Sequence, residues 1–495
     1  MKTRPVFNLK ESGKQTCFKL DLLVNEIFSI TFDEAKEKEK RMAYLIIRNI
    51  GPIKEIAIEL NKVNVIMGPQ SSGKSTICKI ASFCSWVEKK ICSSQSIELF
   101  TEKKYFEEQL MQFHKLEGYF FDDSYIEYQT DSLTFTYSFN DDKVKIKWID
   151  HCKYKRAKIA YIPSERNIVS AISNWFEVKF KDTNIRNFMI DWDDSRKKYS
   201  RLNPLQIINL NAKYYFDEST GRDVVIVNGN KKLELTNTSS GLQSLIPLLV
   251  LIEYLVKHLN EQDDHSSVLN EQIKKKVNQQ IYERYFEVKE VSLPSEGGTQ
   301  NIFIDAGGND FVVKVEEEGY KAIPNSQDSG IKIFKSREKK AEYDLIIEHL
   351  FKTQSVNLFI EEPEQNLFPR TQLDLLYELI SLVVPKENDF MTITTHSPYI
   401  LYALNNCMMG YLVRENMPEE EQKHLASRSA WINPELISIW EIKEGYLIGM
   451  DGKRNSTIQQ SDGLIGDNYF DRNMKEVMDD FYKMLNYYSD DKDED

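Results

Sequence analysis

One stretch of this chain decides its fold: Val63-Asn-Val-Ile-Met-Gly-Pro-Gln-Ser-Ser-Gly-Lys-Ser-Thr76. It predicts an apolar strand, a glycine-rich loop and the start of a helix, with the spacing GxxxxGK[ST]. Backbone N–H groups of such a loop point at phosphates, and the helix N-terminus adds partial positive charge. We expect the loop to bind a nucleoside triphosphate through Gly68, Pro69, Gln70, Ser71, Ser72, Gly73, Lys74, Ser75 and Thr76. Lys74 would reach the β- and γ-phosphates, and the Ser75 hydroxyl would bind Mg²⁺.

The composition is that of a globular protein with an acidic balance. The 495 residues are 41% hydrophobic and 28% charged, and the net charge of −13 argues against wholesale coating of nucleic acid. No apolar run approaches the roughly 20 residues that span a bilayer. The longest, Leu245 to Val256, contains Pro247 and Glu253 and predicts a buried helix. The six cysteines form no CxxC pair, which favours reduced thiols in the cytoplasm.

A pair of adjacent carboxylates follows a second apolar strand, in Asn357-Leu-Phe-Ile-Glu-Glu-Pro-Glu364. In an ATPase sheet, the first carboxylate at such a strand end belongs to the Mg²⁺ shell, and the second polarises the attacking water. We therefore assign Glu361 to the metal and Glu362 to the general base. Taken alone, the segment is more simply a solvated strand end, but the phosphate loop in the same chain favours the catalytic interpretation.

Two further residues stand at predicted strand ends. His396 follows the apolar strand Phe390 to Thr395, and ligands bind at strand ends on one side of a parallel sheet. We predict a γ-phosphate sensor, although a lone histidine is more often structural. Arg166 follows another apolar strand and Pro163. For Arg166, a phosphate-side or interface role and a plain surface salt bridge are equally good interpretations.

A polar segment, Ser239-Ser-Gly-Leu-Gln243, opens the long apolar helix. By itself it is a helix cap, because a serine before an apolar run accepts the free N–H groups of the first turn.

Together these motifs resemble a known family. Their order is similar to that in the ABC-type ATPase domain of the SMC and OLD-like group, which includes RecF-like ATPases, and the opening Asn49-Ile-Gly-Pro-Ile-Lys-Glu-Ile-Ala-Ile-Glu-Leu60 also resembles that group. In particular the chain resembles stand-alone ATPases of bacterial anti-phage systems, such as AriA of PARIS and PtuA of Septu. The resemblance implies an α/β fold: an ABC-type P-loop ATPase head with a mixed β-sheet core, inserted α/β subdomains, and ATP and Mg²⁺ as cofactors.

The resemblance also implies that two heads pair through ATP. Ser240, Gly241 and Gln243 would form a signature segment that contacts the γ-phosphate of ATP bound to a second protomer. The chain departs from the family pattern in having Glu361 where aspartate is usual and Leu242 in place of a second signature glycine. The glutamine that senses Mg²⁺ in the family cannot be placed.

Changes of pattern divide the chain into seven segments. They are a leader (1–41), the opening segment of the ATPase lobe (42–90), an inserted strand-rich subdomain (91–155), the middle segment of the lobe with the signature helix (156–258), an inserted helical and strand-rich region (259–340), the closing segment of the lobe with the carboxylate pair and His396 (341–415), and a C-terminal region with an acidic tail (416–495). Within them the sequence predicts helix over 168–215 and a hairpin turn at Asn228-Gly229.

These motifs lead to a functional hypothesis. No long heptad array separates the signature from Glu361, and no TOPRIM-type acidic pattern follows His396. We expect a cytoplasmic ATPase that forms a homodimer or higher homo-oligomer, makes no membrane contact, and controls a separate effector protein, a nuclease or toxin, with DNA or a phage protein as candidate trigger. The alternatives are a RecF-like DNA-repair ATPase that binds DNA in an ATP-dependent way and a nucleotide-gated scaffold; an ABC transporter is poorly supported.

Overall fold

The computed structural model describes residues 43–172, 174–177, 181–258, 268–288, 290–291, 300–306, 310–315, 321–322 and 331–488. The predicted leader and acidic tail lie outside the described residues.

Most strands follow one another in runs, and they alternate singly with helices between Arg337 and Val413. In chain order they are β1 (Ala43–Ile50), β2 (Ile53–Leu60), β3 (Val63–Met67), β4 (Phe120–Gln129), β5 (Leu133–Ser138), β6 (Lys145–Trp148), β7 (Ala157–Ile162), β8 (Leu205–Gln206), β9 (Ala212–Asp217), β10 (Arg222–Val227), β11 (Lys231–Glu234), β12 (Glu290–Val291), β13 (Gln300–Ala306), β14 (Asp310–Val315), β15 (Lys321–Ala322), β16 (Ile331–Phe334), β17 (Ser355–Glu361), β18 (Phe390–Thr395), β19 (Ile437–Lys443) and β20 (Tyr446–Leu447).

The helices vary widely in length. The longer ones are Lys74–Ser94, Lys103–His114, Asn184–Arg196, Ser240–Lys257, Val268–Tyr285, Arg337–Phe351, Pro369–Val383, Pro398–Val413 and Tyr469–Leu485. Short helices are Glu98–Thr101, Ile168–Ala171 and Glu419–Gln422, and 3₁₀ turns occur at Ser164–Asn167, Trp175–Glu177, Leu235–Asn237, Arg428–Ala430 and Pro434–Leu436.

An 11-stranded sheet organises the molecule, in the order β6-β5-β4-β1-β2-β20-β19-β3-β18-β17-β7. The strands β19, β3, β18, β17 and β7 are parallel, whereas β2, β1, β4, β5 and β6 form an antiparallel extension. The predicted α/β fold with a mixed sheet is thus confirmed. The strands between residues 91 and 155 continue this sheet through the pairing of β4 with β1.

The parallel register brings the predicted site together. Glu361 pairs with Thr394, and Thr395 pairs with Met67 at the end of β3. Parallel strands end at the same edge of a sheet, so the phosphate loop, the carboxylate pair and His396 all begin there. These motifs are therefore neighbours in space although more than 300 positions separate the first from the last in the numbering.

The helix Ser240–Lys257 is long and apolar enough to cross a membrane by length and composition, but most of it is buried in the core. This confirms the predicted buried helix. Pro247 lies inside it and has no N–H, which frees the carbonyl of Gln243. The Ser170 hydroxyl donates to that carbonyl at 2.6 Å.

The prediction for residues 168–215 is wrong over part of its length. Among the described residues of this range, Ile168–Ala171 and Asn184–Arg196 are α-helical, and β8 and β9 join β10 and β11 in a four-stranded sheet. The aromatic run in β9 explains the error, because such residues favour strands. The predicted hairpin is confirmed, with φ of 49° at Asn228 and 83° at Gly229.

Candidate functional site

The phosphate loop has the backbone shape that its glycines predict. Gly68 and Gly73 have φ of 149° and 107°, a region that residues with a Cβ rarely adopt. A Cβ on Gly68 would lie 2.6 Å from Ile442, and one on Gly73 would lie 2.9 Å from Ile53. The loop is held between neighbouring elements, and a larger residue fits at neither glycine.

Lys74 begins the helix after the loop and is buried. Its Nζ donates to the carbonyls of Gly68 and Pro69 at 2.9 and 2.6 Å. Burial lowers the pKa of Lys74 to about 8, and the nearby carboxylates of Glu362 and Glu364 oppose the shift. The ammonium is therefore charged at neutral pH and lies within electrostatic range of both carboxylates.

Glu361 ends β17 as a buried carboxylate held by the neighbouring strand. The Tyr161 hydroxyl donates to its Oε1 at 2.5 Å, and the Ser164 N–H donates to its Oε2 at 3.3 Å. Burial raises the pKa of the Cys78 thiol, and Glu361 adds to that rise. Because Cys78 is one turn into the helix after the loop, Glu361 lies close to the turn that carries Ser75.

Glu362 lies beside His396 at the sheet edge. Its Oε1 is 3.4 Å from Nε2 of His396, and both side chains are about one-third exposed. Burial and then Lys74 lower the pKa of His396, while Glu362 opposes them. The imidazole is therefore neutral at neutral pH. A neutral ring beside a carboxylate can orient a water molecule or donate to an anion.

The backbone of Glu362 is strained. Its φ of 44° is left-handed, which costs a residue with a Cβ roughly 1–2 kcal/mol. Its N–H donates to the Thr394 carbonyl at 2.9 Å, and its own carbonyl accepts from Arg166 at 2.7 Å. These bonds stabilise the strained backbone of Glu362. Strain of this kind is common at functional sites, where side chains must be held in one orientation.

Arg166 requires a correction. It is fully buried, so the surface salt bridge considered for it is wrong. Its five hydrogen bonds, 2.7 to 3.3 Å long, go to the carbonyls of Pro163, Ser244, Glu361, Glu362 and Pro363. Burial lowers its pKa to about 10, so it stays charged at neutral pH. Because five bonds match the five N–H groups of a guanidinium, Arg166 braces the carboxylate turn instead of facing a phosphate.

Glu364 joins the carboxylate turn to the histidine strand. Its Oε1 accepts from the His396 N–H at 2.6 Å and from the Thr395 hydroxyl at 2.9 Å. Burial raises its pKa, and its Oε2 has no hydrogen-bond partner among the described residues. Glu364 thus fixes the main chain from which His396 projects.

The signature segment lies at the surface. Ser239 caps the helix by accepting from the Leu242 N–H, and Ser240 is exposed. The Gln243 amide donates to the carbonyls of Thr236 and Thr238 at 2.8 and 3.1 Å. Gln243 therefore shapes the loop that enters the helix, and its amide nitrogen makes two hydrogen bonds within the chain.

Gly241 is close to the segment that follows the carboxylates. A Cβ there would lie 3.0 Å from the Asn366 carbonyl, and the Asn366 amide donates to the Ser244 hydroxyl at 2.9 Å. Phe368, two residues further, is 76% exposed. The signature and this segment together form one edge of the surface.

The site suits a Mg²⁺-bound nucleoside triphosphate. The loop admits no Cβ at Gly68 or Gly73, and the Ser72 hydroxyl is buried without a partner among the described residues. Lys74 now donates to loop carbonyls that a phosphate would replace. Ser75 and Glu361 are the residues that would hold the metal shell, where the ion would neutralise phosphate charge.

Sequence reasoning missed Tyr161 and the bracing role of Arg166. Both follow from the parallel pairing of β7 with β17, which no local pattern reveals. The one signal in the sequence is that Tyr161 and Arg166 flank the end of an apolar strand. The Glu361 carboxylate accepts hydrogen bonds from the Tyr161 hydroxyl and the Ser164 N–H.

The fold and site define a class: an α/β protein with a mixed β-sheet and a P-loop at the carboxyl edge of its parallel strands. No protein-family model and no curated protein sequence matches the chain. Among solved structures, an SMC head domain from Thermotoga maritima is similar at 9% identity and a TM-score of 0.30, covering 74% of this chain and 92% of that one.

Two further solved structures are similar at the same level. The recombination mediator protein RecF with ATP has 12% identity and a TM-score of 0.25, covering 83% of this chain and 98% of its own. A nucleotide-free ATP-binding cassette of an ABC transporter has 10% identity and a TM-score of 0.24, covering 91% and 100%. Similarities this low carry no argument about activity, which must come from the residues of this chain.

Proposed function

We propose that this chain binds and hydrolyses Mg²⁺-ATP. The observation that carries the proposal is the contact of Glu362 with His396 at the edge where the phosphate loop begins. Lys74 and the loop N–H groups would bind the phosphates, and Ser75 and Glu361 would hold the ion. Glu362 would accept the proton of the attacking water, which general-base catalysis requires to be positioned within hydrogen-bond reach.

His396 would act beside the base as the γ-phosphate sensor. Its neutral imidazole can donate to a phosphate oxygen while Glu362 holds the water. Glu364 would keep the His396 main chain in place. Arg166 would act as a positioning residue, because it fixes the carbonyls of Glu361 and Glu362 without touching the nucleotide.

The heads would pair when ATP is bound. Ser240 and Gly241 stand at an exposed helix N-terminus, where small residues let the backbone approach an anion. Phe368 offers a large exposed apolar side chain on the same edge. A second head that contributed this edge would close over the γ-phosphate, and hydrolysis would release the pair.

This ATPase would serve as the sensor and regulator of a separate effector in a bacterial anti-phage system. The support is the motif order, which resembles that of stand-alone defence ATPases. ATP-dependent assembly in the cytoplasm would restrain a nuclease or toxin, and DNA or a phage protein would trigger its release. A RecF-like ATPase would instead bind DNA in an ATP-dependent way without a protein partner.

The experiment compares native mass and ATP turnover with and without the product of the adjacent gene. Wild type, Lys74→Ala, Glu362→Gln and the exposed control Glu415→Gln are expressed in both settings. We expect a partner-containing assembly that ATP changes, that Glu362→Gln locks and that Lys74→Ala loses. If the native mass is the same with and without the adjacent gene's product, and the chain binds DNA ends in an ATP-dependent way, the repair role would replace the defence role.

A further inference from the structure

A cavity of about 430 Å³ lies at the end of the phosphate-loop helix that is remote from the loop. Its walls come from the last turn of helix Lys74–Ser94 and the residues after it, from the end of β6, and from helix Val268–Tyr285. The phosphate-loop helix has 21 residues and is about 30 Å long at 1.5 Å per residue. The cavity is therefore separate from the phosphate loop, and its volume is in the range of roughly 300–1,000 Å³ that small-molecule sites have.

One wall of the cavity is a pair of stacked rings. The ring centroids of Trp148 and His151 are 3.9 Å apart, and the ring planes differ by 22°. Nδ1 of His151 donates to Oε1 of Gln95 at 2.8 Å, which leaves Nε2 to accept from Arg284 at 2.9 Å. Burial and then Arg284 lower the pKa of His151 to about 4, so the ring is neutral at neutral pH. Gln95 and Arg284 thus fix an uncharged aromatic wall.

The opposite wall is a polar stripe of helix Val268–Tyr285. Lys276, Gln280 and Arg284 recur every fourth residue, which puts them on one face of the helix, and all three line the cavity. Eight positions separate Lys276 from Arg284, which is about 12 Å along the helix axis. Among the described residues that line the cavity, Glu98 carries the one negative charge. The lining is therefore net positive, with its two cations at different ends.

The cavity also contains two side-chain amides, those of Gln95 and Gln280. Oε1 of Gln280 is buried and has no donor among the described residues. An acceptor of this kind costs free energy unless a ligand N–H or a water molecule supplies the missing bond. Amides both donate and accept, so they match the edge of a nucleobase, which presents both kinds of group.

We propose that this cavity binds a free nucleotide as a second site on the chain. The base would lie against the aromatic wall of Trp148 and His151, beside the guanidinium of Arg284. Aromatic rings and guanidinium planes are the surfaces on which unstacked bases are held. The phosphate would lie at Lys276, about 12 Å along the helix, and Gln280, which stands between the two cations, would contact the base edge or the sugar.

Other occupants fit the same walls less well. A single inorganic anion reaches one of the two cations and leaves the aromatic wall unused. An apolar ligand would bury the Gln280 amide and the Lys276 ammonium without partners, which is costly. A long nucleic-acid strand would have to follow a chain whose net charge is −13, and that charge opposes binding outside the cavity.

This inference is independent of the proposed ATPase function, because the cavity uses none of the residues assigned to hydrolysis. The two sites can also be measured separately. Lys74 is the cation of the phosphate loop, so Lys74→Ala should lose ATP there. Nucleotide that still binds to the Lys74→Ala chain then reports the second site, and a failure of either proposal leaves the other standing.

The test is isothermal titration of the Lys74→Ala chain with AMP, GMP, CMP and UMP in turn. We expect at least one of them to bind with a stoichiometry of one. Adding Lys276→Glu or Arg284→Glu should weaken that binding about tenfold or more, because each removes a charged contact. Lys275→Glu is the matched control, since Lys275 is the exposed neighbour of Lys276 and does not line the cavity. Its affinity should stay within about twofold of the parent.

The aromatic wall has its own readout. A base held against Trp148 should quench its fluorescence, and Trp148→Phe should remove the nucleotide-dependent part of the signal. The inference is overturned if none of the four nucleotides binds, or if Lys275→Glu weakens binding as much as Lys276→Glu. Inorganic phosphate that binds as tightly as the nucleotide would show a simple anion site instead. A single-stranded oligonucleotide that binds these residues more tightly than any mononucleotide would show a nucleic-acid site instead.

Discussion

The Nε2 atom of His396 lies 3.4 Å from Oε1 of Glu362, and this contact joins two neighbouring parallel strands at their carboxyl ends. Glu361 pairs with Thr394 across β17 and β18, so the residues after each strand meet at the edge of the sheet. Arg166 and Glu364 brace the two sides of the contact through main-chain atoms. The sheet register and these two main-chain contacts therefore set the geometry of the Glu362–His396 contact.

Replacing Glu362 by glutamine should abolish hydrolysis and preserve ATP binding. The amide cannot accept the proton of water, and general-base groups contribute about 10² to 10⁴ in rate. Steady-state phosphate release should fall at least a hundredfold, while equilibrium binding of ATP stays within a few-fold. Glu415→Gln, at an exposed position, serves as control. Normal turnover in Glu362→Gln would remove Glu362 from the mechanism.

ATP affinity should fall as the pH rises above 8. Burial lowers the pKa of Lys74 to about 8, and phosphates bind the protonated ammonium. Between pH 7 and pH 9 the charged fraction declines, so affinity should weaken about tenfold. Lys74→Arg keeps its charge over that range and should show weaker but pH-independent binding. A wild-type affinity that is constant from pH 7 to pH 9 would contradict this assignment.

Removing the guanidinium of Arg166 should destabilise the chain and slow catalysis. Arg166→Met removes the guanidinium donor from five carbonyls, and each buried carbonyl left without a partner costs about 1–3 kcal/mol. We expect an unfolding free energy lower by more than about 3 kcal/mol, measured by denaturant titration. Arg166→Lys should recover part of the stability, and its kcat should fall more than its KM changes. Unchanged kcat in Arg166→Lys would argue against a positioning role.

Glu88 should make stability depend on pH. It is buried near the end of the phosphate-loop helix, where burial raises its pKa to about 7 against the hydrogen bonds from Thr130 and Tyr128. The folded chain therefore keeps a proton that the unfolded chain releases near pH 4.5. The resulting stability is present below pH 4.5 and is lost as the pH rises to about 7.

The variant Glu88→Gln isolates this effect. Relative to wild type, its unfolding free energy should improve by up to roughly 3 kcal/mol between pH 5 and pH 8. Chemical unfolding at both pH values gives the difference directly. If wild type and Glu88→Gln differ by the same amount at pH 5 and pH 8, Glu88 is not protonated in the fold.

The parts of the site that depend on residues close together in the sequence could be predicted. The phosphate loop needs glycines at fixed positions, and the carboxylate pair and His396 each follow an apolar strand. Arg166 could not be predicted in the same way, because its five acceptors come from three separate segments. Tyr161 could not be predicted either, because its hydrogen-bond partner Glu361 lies 200 residues away in the chain.

Some features of the fold could likewise be predicted from neighbouring residues in the sequence, and others could not. The Asn228-Gly229 turn and the buried signature helix are encoded within a few residues. The pairing of β4 with β1 is not, because it depends on a register between strands about 80 positions apart. The prediction of helix over β9 is wrong because the aromatic residues of this segment favour a strand.

The most direct test of the account is the ATP-dependent mass of the chain, measured by light scattering in the Glu362→Gln variant. Mg²⁺-ATP should raise the mass from 58.0 kDa to twice that value. Lys74→Ala and Gly241→Val should each prevent the change, the first by losing ATP and the second by filling the 3.0 Å approach to Asn366. A chain that binds ATP yet stays at the monomer mass would contradict nucleotide-dependent pairing of the heads.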